Sequence, residues 1–268
     1  MLIAERKSRL RELIARKGMS DLDSLAAELR VSQSTVRRDI DAMVDEGLVK
    51  RTHGGVIWIG EPNANNAAAT RPYAFDQRMS YEMDAKRQIA KAARSLVQDN
   101  ETVLIDGGTT TFYLAEQLLG QSLQIVTNSL PIANLFLNDE NVELVLTGGL
   151  MYPRYGVLLG PQTENFIATV HAKTMFFSVA GVHDGALYNQ NLLLVQAEQQ
   201  MMRQAQRKVL LADSGKFGQQ ALAKLSALRE IDVVVSDSGL PEAHRALVRD
   251  LGIELILAPA PDSSAAGA

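Results

Sequence analysis

The chain contains no cysteine among its 268 residues, which excludes a disulfide framework, a thiolate metal site and a cysteine nucleophile together. Aromatic residues are scarce at 5%, with a single tryptophan, and none occurs before Trp58. No run approaches the roughly 18 apolar residues needed to cross a bilayer, so no membrane span is expected. Met1 to Lys17 is charged throughout and does not read as a secretory signal. His171, His183 and His244 show no metal-ligand spacing, so neither a metal nor a cofactor is expected. Strong charge of one sign is missing too: the net charge is −4 and the pI about 5.6, unlike a polybasic protein. These absences point to the cytoplasm.

What remains is ordinary for a folded protein, with 46% hydrophobic and 22% charged residues. At about 150 residues per domain, the length suggests one large domain or two modest ones. The charge is uneven. Residues 1–60 hold 11 Lys and Arg against 9 Asp and Glu, whereas the remainder holds 16 against 22. A small, slightly basic, aromatic-poor head thus precedes an acidic body. Residues 60–72 carry prolines near both ends (Pro62 and Pro72), three asparagines and no apolar period, which reads as a linker. We therefore expect a small head domain over 1–59, a larger body over 73–258 and a flexible tail over 259–268.

Three helical patterns fill the head. Ile3, Leu10, Leu13 and Ile14 form one apolar face, ended by Gly18. Leu22, Leu25, Ala26 and Leu29 form a second, with Ser20 and Asp23 in a capping-box arrangement at its start. Val36, Ile40, Met43 and Val44 form the third, stopped by Gly47, with Ser32 as its N-cap. With those residues inward, Ser34, Arg37, Arg38 and Asp41 face outward, and Gln33, Ser34 and Thr35 occupy the first turn. That is the layout of a recognition helix: short polar groups and amides for phosphates, arginines for base edges in the major groove. Two β-like runs, 48–51 and 56–59, flank the turn Thr52-His53-Gly54-Gly55, making a wing that carries Lys50, Arg51 and His53. Arg37 and Arg38 alone would read as solvated charges; the helical spacing, the cap and the basic wing together point to double-stranded DNA.

The body alternates helical patterns with apolar runs at 102–105, 123–126, 142–146, 175–179, 209–211, 231–235 and 254–257, after a single entry helix from about Asp76 to Val97. The alternation predicts an α/β fold, a mostly parallel sheet with helices on both faces. The segments after five strands are rich in small polar residues. They are Asp106-Gly107-Gly108-Thr109-Thr110-Thr111, Thr127-Asn128-Ser129, Thr147-Gly148-Gly149, Gly181, and Asp213-Ser214-Gly215-Lys216. Ligands of open α/β sheets bind outside the carboxyl ends of the strands. Glycine permits close approach, hydroxyls donate, and amides at helix starts favour anions, so these ends describe an anion-accepting cup. Arg154, on a segment expected to lie over the cup, offers a fork suited to phosphate or sulfonate oxygens. The segments 182–185 and 188–191 are further candidates for hydroxyl contacts.

Ser32-Gln33-Ser34-Thr35-Val36-Arg37-Arg38-Asp39-Ile40, followed by Gly47-Leu48-Val49-Lys50-Arg51-Thr52-His53-Gly54-Gly55-Val56, resembles the signature of the DeoR-type family of bacterial repressors of sugar metabolism. The strand-end segments appear in the order of that family's effector domain, so the resemblance spans residues 1 to about 258. It implies a winged helix-turn-helix followed by a domain similar to ribose-5-phosphate isomerase and glucosamine-6-phosphate deaminase. It also implies an operator-binding homo-oligomer, dimer or tetramer, that senses a phosphorylated sugar without converting it. Two departures stand out. Gly215 replaces a hydroxyl residue of the family's Asp-Ser-Ser/Thr-Lys-Phe pattern, and Ala85-Lys86 replaces Glu-Lys in the entry helix.

Two other readings compete. An active sugar-phosphate isomerase or deaminase with a DNA-binding head would need a general base, and Asp106, Asp184, Glu198 and Lys216 are available. A constitutive DNA-binding protein would use its body only to oligomerise, but such a body need not gather so many glycines and hydroxyls at its strand ends.

Overall fold

The computed structural model describes residues 75–260 throughout and, before them, 6–7, 9–10, 13–14, 19–20, 22–29, 31–45, 49–52 and 55–58. The expected linker over 60–72, the wing residues His53 and Gly54, and the tail from 261 onward lie outside the described residues. The chain forms two compact units, residues 1–66 and 67–268.

In the first unit, residues 6–7, 9–10 and 13–14 are helical. They are followed by β1 (Met19–Ser20), α1 (Leu22–Leu29), α2 (Gln33–Asp45), β2 (Val49–Thr52) and β3 (Gly55–Trp58). The strands form an antiparallel sheet in the order β1-β3-β2. Leu10, Ile14, Leu25, Val36, Ile40, Val49 and Val56 are fully or almost fully buried and make one core, as the spacing predicts. Ser20 pairs with Val56 along the open edge of β3, and α1 begins two residues later, at Leu22. Arg6 grips buried Asp39 on the inner side of α2 with Nε at 2.6 Å and Nη2 at 3.1 Å.

The second unit is built on a seven-stranded, wholly parallel sheet of β4 (Glu101–Ile105), β5 (Leu123–Thr127), β6 (Val142–Leu146), β9 (Ala172–Phe177), β12 (Ala205–Leu211), β14 (Val233–Asp237) and β15 (Glu254–Ala258). These are the seven predicted strands: β6 has the predicted bounds, and the other six differ at one or both ends by about one to four residues. Their order is β15-β14-β12-β9-β4-β5-β6. The chain therefore runs outward from β4 to β6, returns to β9 and runs outward the other way. The direction reverses between β4 and β9, the switch point at which such sheets open a crevice.

Both faces are covered, so runs such as Val103-Leu104-Ile105, Met175-Phe176-Phe177 and Val209-Leu210-Leu211 are apolar at successive positions rather than alternating. Val103, Ile105, Ile125 and Phe176 pack against α4 (Met83–Arg94), α5 (Thr109–Gln117) and α6 (Leu130–Leu135) through Ile89, Leu114 and Ile132. Leu104, Met175, Phe177 and Leu210 pack on the other face with Val195 and Met201 of α8 (Leu192–Gln204) and Val248 of α9 (Glu242–Asp250). Shortly before β9 lies α7 (Pro161–Ile167).

The single entry helix expected from Asp76 to Val97 is two helices, α3 (Phe75–Ser80) and α4. Glu82 sits in the left-handed region at φ 48° and ends the first. Buried Lys86 stabilises the break by donating from Nζ to the carbonyls of Arg78 and Tyr81. Antiparallel additions that periodicity did not reveal complete the unit: the hairpin of β7 (Leu150–Tyr152) and β8 (Val157–Leu159), and a three-stranded sheet of β10 (Gly181–His183), β11 (Ala186–Asn189) and β13 (Ala223–Ala227). Among the described residues no helix is long and apolar enough to cross a membrane.

Candidate functional site

In the head, Ser32 caps α2: its Oγ accepts from the Thr35 N–H at 3.3 Å and lies 2.9 Å from the hydroxyls of Ser34 and Thr35. Gln33, Ser34, Arg37, Arg38 and Asp41 are exposed, while Val36, Ile40 and Met43 are buried. The predicted split of the helix into inner and outer faces is therefore observed except at Val44, expected inward but 36% exposed in the last turn. Lys50 and Arg51 lie on β2, which pairs with β3 from Val49–Trp58 to Thr52–Gly55.

In the body, the five polar strand ends belong to five adjacent strands, β12, β9, β4, β5 and β6, all pointing the same way. The parallel topology thus gathers them along one rim. After β4, Thr111 Oγ1 accepts from the Gly108 N–H at 2.8 Å and anchors the turn through the Asp106 carbonyl at 2.7 Å. Thr109 and Thr110 are buried beside it. A Cβ on Gly107 would overlap Val157 of β8, and one on Gly108 would overlap the Ser178 hydroxyl, so both glycines admit neighbouring chain. After β5, Thr127 Oγ1 donates to the Ile105 carbonyl at 2.7 Å and Ser129 caps α6. Asn128 meets β8 in both directions, through Leu158 N–H to its carbonyl at 2.8 Å and Nδ2 to the Leu158 carbonyl at 3.2 Å. The β7–β8 hairpin is thereby held over the ends of β5 and β4. Gly148 and Gly149 follow β6, and Thr163 donates to the Gly148 carbonyl at 2.6 Å. Gly181 packs against the backbone of Gln219 at the start of β10.

The electrostatic centre lies at the switch point. Asp106 is 3% exposed, and burial pushes its carboxyl up to about 6, opposed by the Gly107 N–H and by Arg78. Glu198 of α8 is also buried. Burial and then the Asp106 charge hold it well above the usual carboxylate range, although Asn189 Nδ2 donates to both its oxygens at 2.6 and 2.7 Å. The amide oxygen of Asn189 is itself fixed by the Ala180 N–H at 2.8 Å, so that orientation is settled. Lys86 is lowered to about 8, first by burial, and feels Asp213, Lys216 and Arg78 in that order. Tyr155 on the hairpin feels Arg78, Arg154 and Glu198, and its hydroxyl lies 3.3 Å from Gln190 Oε1. The structure thus brings Asp106, Asp213, Lys216 and Arg154 to one rim. It adds Arg78 and Lys86, which sequence reading had not singled out as ligand contacts, Asn189 from the segment 188–191 expected to supply hydroxyl contacts, and Glu198, considered only as a base. A lone Arg or Lys within an apolar helical period carries no signal of burial, and only the fold brings α3 and α8 to the strand ends. Asp184, the other candidate base, lies exposed in the β10–β11 turn, 3.2 Å from His183.

Buried side-chain polar atoms without partners are rare in folded proteins and call for an explanation. Among the described residues, all except those of Glu101 and Gln121 belong to Arg78 or to residues at or beside the carboxyl ends of strands. They are Asp106 Oδ1, Asn128 Oδ1, Thr147 Oγ1, both carboxylate oxygens of Asp213, Ser236 Oγ, and Nε and Nη2 of Arg78.

Comparison with known proteins decides the family. Residues 6–61 match the DeoR-like helix-turn-helix domain, and residues 81–238 match the DeoR C terminal sensor domain. The chain belongs to the DeoR family of transcriptional regulators. It is 32% identical over 94% of its length, and 94% of the relative, to the HTH-type transcriptional repressor CsqR of Escherichia coli. The L-fucose operon activator of Haemophilus influenzae is 30% identical over 85% of this chain and 90% of its own. Among solved structures, ribose 5-phosphate isomerase A of Methanocaldococcus jannaschii aligns with 64% of this chain and 67% of its own. The TM-score is 0.39 at 17% identity. This DeoR-family chain therefore joins a DNA-reading head to a sensor domain whose unpartnered buried polar atoms line one rim.

Proposed function

We propose that the chain is a cytoplasmic repressor of a carbohydrate-utilisation operon, and that a phosphorylated sugar bound at the strand ends changes its affinity for operator DNA. The head, 1–59, reads the operator through Ser32, Gln33, Ser34, Thr35, Arg37 and Arg38, with Lys50, Arg51, His53 and Gly54 of the wing at the backbone. Residues 60–72 link it to the sensor, 73–258. The effector is held by the turns 106–111, 127–129, 148–149 and 213–216, with Gly181 and Arg154. The chain acts as a homo-oligomer, since paired heads match repeated half-sites.

The observation that carries this reading is the set of unpartnered acceptors at Asp106, Asn128, Thr147 and Asp213 beside the cations Arg78, Lys86 and Lys216. Hydroxyls of a sugar satisfy the acceptors, and a phosphate meets the cations. A relative named for a fucose operon fits a sugar effector. No catalytic turnover is proposed, because Asn189 Nδ2 engages both carboxylate oxygens of Glu198. Asp106, near 6, is the feature that favours the isomerase reading.

A thermal-shift screen of the full chain against sugar phosphates and the matching free sugars tests the proposal. Ligand at 100 times its dissociation constant adds about 2.7 kcal/mol of stability. A shift with one phosphate but not its parent sugar supports the reading, and no shift with any phosphate refutes it. Turnover of aldose phosphates above background would establish the isomerase reading.

A further inference from the structure

Arg78 lies between the two matched regions, 6–61 and 81–238, so neither family description reaches it. Its guanidinium stacks over the Tyr155 ring at 4.5 Å and stands 5.7 Å from the Phe75 ring. Nε and Nη2 are buried and have no hydrogen-bond partner among the described residues. Those two N–H groups lie along one edge of the planar fork, the edge that receives both oxygens of an oxyanion. Arg6 shows the same edge filled: its Nε and Nη2 lie 2.6 and 3.1 Å from the two oxygens of Asp39. Around Arg78 the Asp106 charge acts through space, but among the described residues the two form no ion pair. A desolvated guanidinium edge without a partner is costly, and a ligand that completes it recovers the cost.

The backbone of α3 is fastened where the side chain is not. Lys86 donates to the carbonyls of Arg78 and Tyr81, the Tyr113 hydroxyl to that of Met79 at 3.2 Å, and Phe75 meets Phe112 edge-on at 5.7 Å. At six residues, α3 has little stability of its own and depends on such contacts. It is also the first described element after β3, so the chain leading back to the head begins at its N-terminus.

We propose that Arg78 is an effector-binding residue that takes two oxygens of the ligand's oxyanion. Through it, ligand binding fastens α3 to the strand-end rim and is felt where the body joins the segment leading to the head. The proposal rests on the effector reading above and adds to it the residue that receives the anion and the element that responds. A phosphate, a sulfonate or a carboxylate presents the required pair of oxygens. Coupling follows because a ligand that binds one state of α3 better shifts the population toward it.

The full chain and its Arg78→Met, Arg78→Lys and Lys224→Met variants are titrated with inorganic phosphate, inorganic sulfate, and a panel of sugar phosphates, sugar sulfonates and aldonates. Binding is read by calorimetry, and amide exchange is followed over residues 75–82. Whichever oxyanion binds the natural chain should bind Arg78→Met roughly ten- to a hundredfold more weakly. Arg78→Lys should fall between, because one ammonium does not replace a fork. Exposed Lys224 should be indifferent. The ligand should slow exchange over 75–82 in the natural chain and not in Arg78→Met. If Arg78→Met fails to fold, the Lys variant carries the comparison. Undiminished affinity in a folded Arg78 variant overturns the proposal and leaves the effector reading standing, as does binding that leaves 75–82 unprotected. Binding of no oxyanion by the natural chain overturns both.

Discussion

Replacing Asp106 by Asn tests whether the sensor gives up stability to keep a carboxyl group at its switch point. Burial holds Asp106 near 6 instead of 3.8, even though the Gly107 N–H and Arg78 pull it back. At about 1.4 kcal/mol per pH unit, its ionised form carries on the order of 3 kcal/mol of penalty. A carboxyl raised in the folded state contributes fully below its unfolded value, and the contribution is lost as pH rises through about 6. The natural chain should therefore lose on the order of 1–2 kcal/mol from this group between pH 5 and 7.5. Asn keeps the shape and removes the charge, but its Nδ2 needs an acceptor, which offsets part of the gain. For a unit of this size 1 kcal/mol moves the midpoint by about 2–4 °C, so Asp106→Asn should melt roughly 4–8 °C higher at pH 7.5. The gap should narrow toward pH 5. Calorimetry of the full chain at pH 5, 6 and 7.5 makes the measurement. A variant that melts no higher than the natural chain at pH 7.5, or a gap unchanged across that range, would refute the reasoning.

In the head, Arg38→Ala should cost about 1–3 kcal/mol of specific DNA binding, read by anisotropy on a selected operator; unchanged affinity would mean α2 presents another face. Lys216→Ala should remove the response to sugar phosphate while operator binding stays intact, and an unaltered response would return Lys216 to the status of a surface lysine. Gly107→Ala drives a Cβ into Val157, so it should destabilise the body by about 1–3 kcal/mol. Gly107→Ala combined with Val157→Ala should recover part of that loss, and strict additivity of the two would show that the hairpin is not packed on the turn.

The recognition helix and the seven strands were legible because each rests on a local period. Val36, Ile40 and Met43 recur at the helical spacing, and the strands are short apolar runs between turns. The five polar ends were legible for a related reason: a parallel sheet puts all its carboxyl ends on one rim, whatever the order of the strands. The break at Glu82 was not legible, since no proline or glycine interrupts the stretch from Phe75 to Arg94. The left-handed residue is held by Lys86, which reaches back across the break. The β7–β8 hairpin was hidden because its strands are three residues each, too short for a period to show.

The sequence alone determined the division into a DNA-reading head and a strand-and-helix body, the face of α2 turned outward, and the family. All of these are written in contiguous motifs and local spacing. Only the tertiary structure decided that the strand order reverses between β4 and β9, that buried Glu198 feels the Asp106 charge, and that Arg78 stacks on Tyr155 with two N–H groups unpartnered. Those relations join residues dozens of positions apart, and they depend on which strands pair and which helices cover them. Burial, which turns an ordinary arginine or glutamate into a group that needs a partner, is a property of the packed chain and not of any stretch of it.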